Sequence, residues 1–184
     1  AEVNEVILEN LLPEVPTFKQ RGVATLKTNI VRSVEENSLT VEAQIKDWIV
    51  NEEEMGDFTF SANGNTQVNT YVVQLDLLNS LNRGLTGKGV WQGRESPSVN
   101  IDLDFTSFET RFLSALGKEN IQNIRGKLDG SVNLWGPISD LRHTGALQVS
   151  QGGFRIPYLN VEYQLEDTNV SLLNQEFKFR NVLL

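Results

Sequence analysis

The chain has 184 residues, of which 39% are hydrophobic and 22% charged, with a formal net charge of −8. This balance is typical of a folded protein and excludes a disordered tail. Because nucleic acids and anionic membrane surfaces are bound by clusters of lysine and arginine, the acidic charge argues against both as partners. The chain has no cysteine, which excludes disulfides and cysteine-based metal sites.

The first stretch, residues 1–16, carries apolar side chains at helical spacing and contains Pro13 and Pro16. Because proline ends a helix, this stretch predicts a short helix. No stretch of the chain approaches the roughly 18 consecutive apolar residues of a membrane helix. The chain starts without methionine and stops at Leu184 in a strand-like pattern, so we expect a single segment, 1–184, of a longer protein.

From Gly22 onward the apolar residues recur at every second position, which is the period of a β-strand. Two such runs, 24–30 and 39–49, lie on either side of a polar turn and predict a hairpin. A second hairpin is predicted by the alternation around Phe58 and Phe60. Asn63-Gly64 is expected to form its tight turn, because both residues tolerate positive φ.

A glycine-punctuated strand unit occurs twice, at Leu85–Gly93 and at Leu128–Gly136. Each copy has glycine two positions after its leucine and again eight positions after it, which indicates a duplicated strand. Glycines in such strands are typical of a strongly bent sheet. Between the copies, residues 99–105 alternate as a further strand.

One helix is predicted after this strand. Thr106 and Glu109 have the spacing of a capping box, and Gly117 stands where a helix would end. This helix would have one apolar face and could plug a groove formed by the sheet. The residues of that face are Phe108, Phe112, Leu113 and Leu116.

Alternating strands continue to the end of the chain, at 147–149, 161–165, 170–172 and 177–179. The total is about a dozen strands with connections too short for parallel crossovers, which predicts an antiparallel meander. We therefore expect a mainly β fold with one or two short helices. If the sheet curls on itself, it forms an elongated, strongly curved half-pipe with an apolar concave face. Such a trough would be roughly 50 to 60 Å long.

No catalytic or metal-binding motif is present, so we expect neither an enzyme nor a cofactor. The single histidine, His143, is predicted to be a solvated residue in a polar turn without a nearby nucleophile. Asp102 and Asp104 share one face of a strand, and the neighbouring apolar residues point to the other face. The two aspartates are therefore expected to face solvent.

The repeated apolar face is the candidate functional feature. In an ordinary sandwich a second sheet covers such a face, and the pattern alone leaves this alternative open. If the face stays uncovered, it would line a lipophilic groove. The residues predicted to line that groove are Leu39, Val41, Ile45, Phe58, Phe60, Tyr71, Val73, Leu75, Ile101, Leu103, Phe105, Leu128, Val132, Leu134, Leu147, Val149, Phe154, Ile156, Val161, Tyr163 and Leu165.

The run from 112 to 154, followed by residues 157–163, resembles the C-terminal region of the TamB family of envelope proteins, within the wider AsmA-like group. The resemblance covers about residues 75–184. The residues that carry the resemblance, its frame residues, are Gly130, Gly136, Pro137, Gly145 and Leu147.

The resemblance implies a periplasmic location, an N-terminal anchor in the inner membrane and an Omp85-class outer-membrane partner, TamA. It also implies a taco-shaped sheet whose hydrophobic groove guides phospholipid acyl chains between the membranes and supports the assembly of outer-membrane proteins. The anchor is absent from this sequence. Two alternatives remain: a chaperone-like module that binds outer-membrane strands by β-augmentation, and a purely structural sandwich domain.

Overall fold

A computed structural model describes residues 2–8, 19–32, 37–50, 52–81, 83–93, 96–111, 121–165 and 167–180. In these ranges the protein is mainly β, as predicted, and twelve strands form one open antiparallel sheet. The strands are β1 (Glu2–Ile7), β2 (Gln20–Arg32), β3 (Asn37–Val50), β4 (Glu53–Asn65), β5 (Thr70–Leu78), β6 (Gly84–Gln92), β7 (Ser98–Glu109), β8 (Gln122–Pro137), β9 (Arg142–Ile156), β10 (Val161–Leu165), β11 (Thr168–Leu173) and β12 (Glu176–Arg180).

The sheet is a meander in which strands β1 to β9 pair in the order of the chain. The short strands β10 and β11 lie end to end beside β9, and β12 pairs with the outer side of β11. Every pairing is antiparallel, because most connections are too short for a parallel crossover. No second sheet occurs within the described ranges, so the sandwich alternative finds no partner layer there.

The pairing register places apolar residues opposite apolar residues across the whole sheet. One row runs from Phe60 through Leu75 and Leu103 to Val132 and ends near Leu172. Because directly paired residues project from the same side of a sheet, this register separates an apolar face from a polar face. We use these two names for the two sides below.

The pairing contains several β-bulges, and those in β7 and β9 change which residues of their strands project to the apolar face. Ser107, with φ 44°, is the extra residue of β7, and Gln151, with φ 51°, is the extra residue of β9. Each bulge shifts the phase of its strand by one residue. As a result Phe108 joins Phe105 on the apolar face, where the two rings meet edge to face with centroids 5.6 Å apart.

The bulge at Ser107 is held by a side chain of the next strand. The carboxylate Oδ1 of Asp129 accepts a hydrogen bond from the Ser107 backbone N–H at 2.8 Å. Replacing Asp129 with alanine should therefore lower the free energy of unfolding by about 1–2 kcal/mol. Urea denaturation followed by circular dichroism measures this loss. The matched control is Asp104→Ala on the exposed polar face of β7, and an equal loss in both variants would contradict this role of Asp129.

The structure corrects three local predictions. The N-terminal helix is wrong at residues 2–7, which form β1, while Pro13 and Pro16 lie outside the described residues. Asn63-Gly64 is inside β4, and the turn follows at 66–69, where Asn65 Oδ1 accepts the backbone N–H of Gln67 at 2.8 Å. This side-chain acceptor sets the turn.

The predicted capping box is also wrong, because Thr106 to Glu109 belong to strand β7. The spacing of three between Phe105 and Phe108, which resembles a helical period, is produced by the bulge. Phe108 is buried on the sheet, and the other three residues of the predicted plug, at 112, 113 and 116, lie outside the described residues.

Helical structure in the described ranges is limited to single turns, such as the 3-10 turns Ile138–Asp140 and Pro157–Leu159. Among the same residues, no helix has the length and apolar character needed to cross a membrane.

Candidate functional site

The apolar face contains every residue that the sequence predicted to line a groove. The register connects them strand by strand, from Leu39 on β3 to Leu165 on β10. Beyond the bulge at Gln151 the pairs Phe154–Tyr163 and Ile156–Val161 return to the same face, and the Phe154 and Tyr163 rings stack with centroids 4.9 Å apart. The structure therefore brings the predicted lining together on one surface.

Exposure varies along this face from its centre to its edges. Val73 on β5 and Val132 on β8 are only 5% and 6% exposed. Ile30, at the end of β2 that β1 does not reach, is 55% exposed, and Phe177 on the edge strand β12 is 57% exposed. The apolar face is therefore shielded around Val73 and Val132 and open at Ile30 and Phe177.

Two clusters of side chains account for the shielded parts of this face. The first is built around Val132, Val149, Val170 and Leu172, and the second around Ala62, Tyr71 and Val73. Ile101 on β7 packs against the second cluster although β6 lies between them. The side chains on this face thus contact one another across an intervening strand.

Glycine on β6 makes this contact possible. Gly87 lies on the apolar face between Leu75 and Leu103. A Cβ atom at Gly87 would lie 2.8 Å from Leu103 Cδ2 and 2.9 Å from Leu75 Cγ, closer than carbon atoms approach. The two leucines therefore close over the glycine, and the face is continuous above a strand that contributes no side chain there.

The sequence missed several residues of this face. Leu77, Phe108, Val170 and Leu172 are buried on it, although none of them was predicted to line the groove. Three of them alternate correctly with their neighbours, so the period of two would have found them. Phe108 could not be found in this way, because its phase depends on the bulge.

The prediction for His143 is wrong. His143 is on strand β9, not in a turn, and it pairs with Leu134 on the apolar face. Its imidazole is half-buried and lies 4.7 Å from the Phe177 ring, between centroids. The period of two that includes Gly145 and Leu147 continues backward to His143 and could have indicated this placement.

The polar face is organised by hydrogen bonds between neighbouring strands. Asn133 Nδ2 donates to Asn100 Oδ1 and to Asp102 Oδ1, both at 2.9 Å. Asp102 and Asp104 are exposed on this side, as predicted. The described residues contain no group of three or more histidines and carboxylates placed to hold a metal ion.

Two depressions lie at strands β2 to β5, away from the predicted groove lining. The first has a volume of about 390 Å³ and is lined mostly by polar-face residues, including Lys27, Glu42 and Asp76. The second, about 750 Å³, adjoins it at the ends of β3 to β5 and includes Asp57. Of the predicted lining residues, only Phe60 borders either depression. These depressions are therefore a feature of the water-facing side.

The chemistry of the apolar face is that of a nonpolar binding surface. Along the paired positions of β3 to β9, its side chains are mainly aliphatic or aromatic; Asn37 at the start of β3 and His143 on β9 are polar. Comparisons of the chain with protein-family models, with curated proteins and with solved structures find no match.

Proposed function

We propose that the apolar face binds the acyl chains of phospholipids and guides them along the sheet. One observation carries this proposal: the register of a single sheet collects apolar side chains on one side over strands β2 to β12, and the described ranges contain no second sheet to cover them. Large contiguous apolar surfaces on proteins commonly mark binding sites.

The energetics favour a chain-like apolar ligand. Each methylene group removed from water contributes about 0.8 kcal/mol, and this contribution has no preferred direction. Rows of valine, leucine and phenylalanine therefore hold an acyl chain without fixing its position along the surface. Movement would need no catalytic residue, so the proposed activity is binding and guidance without chemical conversion.

The proposed site is the concave side of a curved sheet. Val73 and Val132 support this curvature, because each is less than a tenth exposed although the sheet has one described layer. The approach of Leu75 and Leu103 to the space above Gly87 supports it further, since side chains two strands apart converge when a sheet bends towards them. Curvature would shield bound acyl chains from water.

This proposal includes the cellular setting implied by the resemblance to the TamB family. We propose that the chain is a segment of a periplasmic protein anchored in the inner membrane. Its ligands would be phospholipids in transit between the two membranes, and its outer-membrane partner would be a TamA-like protein of the Omp85 class. The frame residues Gly130, Gly145 and Leu147, on β8 and β9, carry the resemblance.

Site-specific photo-crosslinking tests the proposal. A photo-reactive residue at position 147 replaces a leucine of the apolar face, whereas one at position 148 replaces the exposed Gln148 next to it. After incubation with vesicles of phosphatidylethanolamine and phosphatidylglycerol, mass spectrometry should find phospholipid attached at 147 and little at 148. Equal labelling at both positions, or none at 147, would reject a lipid-binding apolar face.

The edge strand β12 supports a second candidate function. Among the described residues β12 pairs only with β11, so its other side can accept a further strand. A segment of an outer-membrane β-barrel protein could add to this edge by β-augmentation, with its apolar side chains continuing the apolar face beyond Phe177.

A proline substitution in a peptide from an outer-membrane barrel protein separates β-augmentation from lipid binding. A synthetic peptide from a barrel strand should bind with micromolar affinity if β12 is a docking edge, and a single central proline in the peptide should abolish that binding by removing a backbone donor. Binding that is unaffected by proline would exclude β-augmentation. Phospholipid labelling at position 147 is independent of this result.

A further inference from the structure

We infer that His143 binds an oxygen atom in the polar head of an amphiphile whose chain lies on the apolar face. The inference rests on the proposed function and specifies where on the sheet the head of the ligand is held. The ligand class is a long apolar chain that ends in a carboxylate or phosphate group.

The imidazole is a polar group beside the apolar side chains of Leu134 and Phe177. Its Nδ1 atom is buried, and no residue in the described ranges makes a hydrogen bond with it. Most buried polar atoms in proteins have a partner, because an unsatisfied one costs about 1–3 kcal/mol. A buried nitrogen without a protein partner therefore indicates that a ligand supplies one.

The charged side chain next to His143 in the chain lies on the opposite face of the sheet. This neighbour, Arg142, lies on the polar face, where the guanidinium carbon is 5.3 Å from the centre of the Trp135 ring. On the apolar face His143 adjoins Leu134 and Phe177. A chain lying over Leu134 would therefore end at the imidazole with its oxygen acceptor.

Access to the imidazole depends on the edge strand. The Phe177 ring beside it is 57% exposed and belongs to β12, a strand of five residues paired on one side only in the described ranges. Phe177 pairs with Leu172 of the first cluster, but its own ring is mostly exposed, so rotation of this side chain would admit a ligand to the imidazole nitrogen. The site is thus near the rim of the sheet, where a ligand head would remain close to water.

Matched ligands and variants test the inference. Palmitate, hexadecyl phosphate and hexadecane each displace the neutral apolar fluorophore phenylnaphthylamine from the full chain. His143→Leu should lower the affinity for palmitate and for hexadecyl phosphate at least about tenfold. The affinity for hexadecane should not change. His143→Gln, which keeps an N–H donor, should retain most of the affinity. Inorganic phosphate should not compete, since it has no chain, and Thr144→Ala on the polar face should change nothing.

The outcomes distinguish this inference from the proposed function. If wild-type protein binds all three chain ligands and His143→Leu weakens all of them equally, the imidazole is a packing residue and the inference is wrong. If His143→Leu weakens none of them, water satisfies the nitrogen and the inference is also wrong, although the proposed function stands. If the wild-type protein binds neither palmitate nor hexadecane, both fail.

Discussion

Replacing Gly130 with alanine is expected to lower the free energy of unfolding by about 2–4 kcal/mol. Gly130 lies on the apolar face of β8 with φ +127°, a backbone conformation that L-residues rarely adopt. A Cβ atom there would also lie 2.3 Å from the backbone oxygen of Ala146 on β9. Because that oxygen belongs to the backbone, no side-chain rotation relieves the overlap.

Urea denaturation followed by circular dichroism measures this effect as a shift of the midpoint. Ser131→Ala is the matched control, since Ser131 is the next residue of β8 and is exposed on the polar face. We expect the control to stay within about 0.5 kcal/mol of wild type. If Gly130→Ala unfolds at the wild-type midpoint, the close approach of β8 and β9 at this position is wrong.

Replacing Leu103 with aspartate is expected to lower phospholipid occupancy at least tenfold. Leu103 is on β7, in the row between Gly87 and Val132 at the middle of the apolar face. A carboxylate there can stay ionised only if water reaches it, and water cannot share the surface with an acyl chain. The measurement is the amount of phospholipid that stays with the purified protein after incubation with vesicles, read by mass spectrometry.

Asn100→Asp provides the control for the added charge. It places a carboxylate on the same strand but on the exposed polar face, and it keeps an oxygen acceptor for Asn133 Nδ2. Leu103→Ala, which removes volume without charge, should lose less phospholipid than Leu103→Asp. Circular dichroism should show that all three variants are folded. Equal lipid occupancy in Leu103→Asp and Asn100→Asp would contradict a lipid path over the apolar face.

The fold class and the composition of the apolar face could be predicted because they follow from a local property. In a strand, successive side chains project to opposite sides, so the alternation between Val99 and Phe105 already separates the two faces. Short connections then require antiparallel neighbours. Together these rules predicted a sheet of about a dozen strands and the residues that share its apolar side.

Two of the errors occurred where the phase of a strand or the position of a turn depends on particular side-chain hydrogen bonds. The bulge at Ser107 needs Asp129 of β8 as its hydrogen-bond acceptor. Without knowledge of that partner, the spacing of three between Phe105 and Phe108 resembled the period of a helix. The turn after β4 follows Asn65, whose side chain accepts two backbone N–H groups, whereas Asn63-Gly64 continues the strand.

By itself, the sequence determined that this protein is a β-meander with one apolar side, because alternation is a property of consecutive residues. Only the tertiary structure decided how those residues meet: that Leu75 and Leu103 close over Gly87, and that the buried nitrogen of His143 lies among apolar side chains. The physical reason is that register and bulges are set by hydrogen bonds between different strands, which the pattern within one strand does not encode.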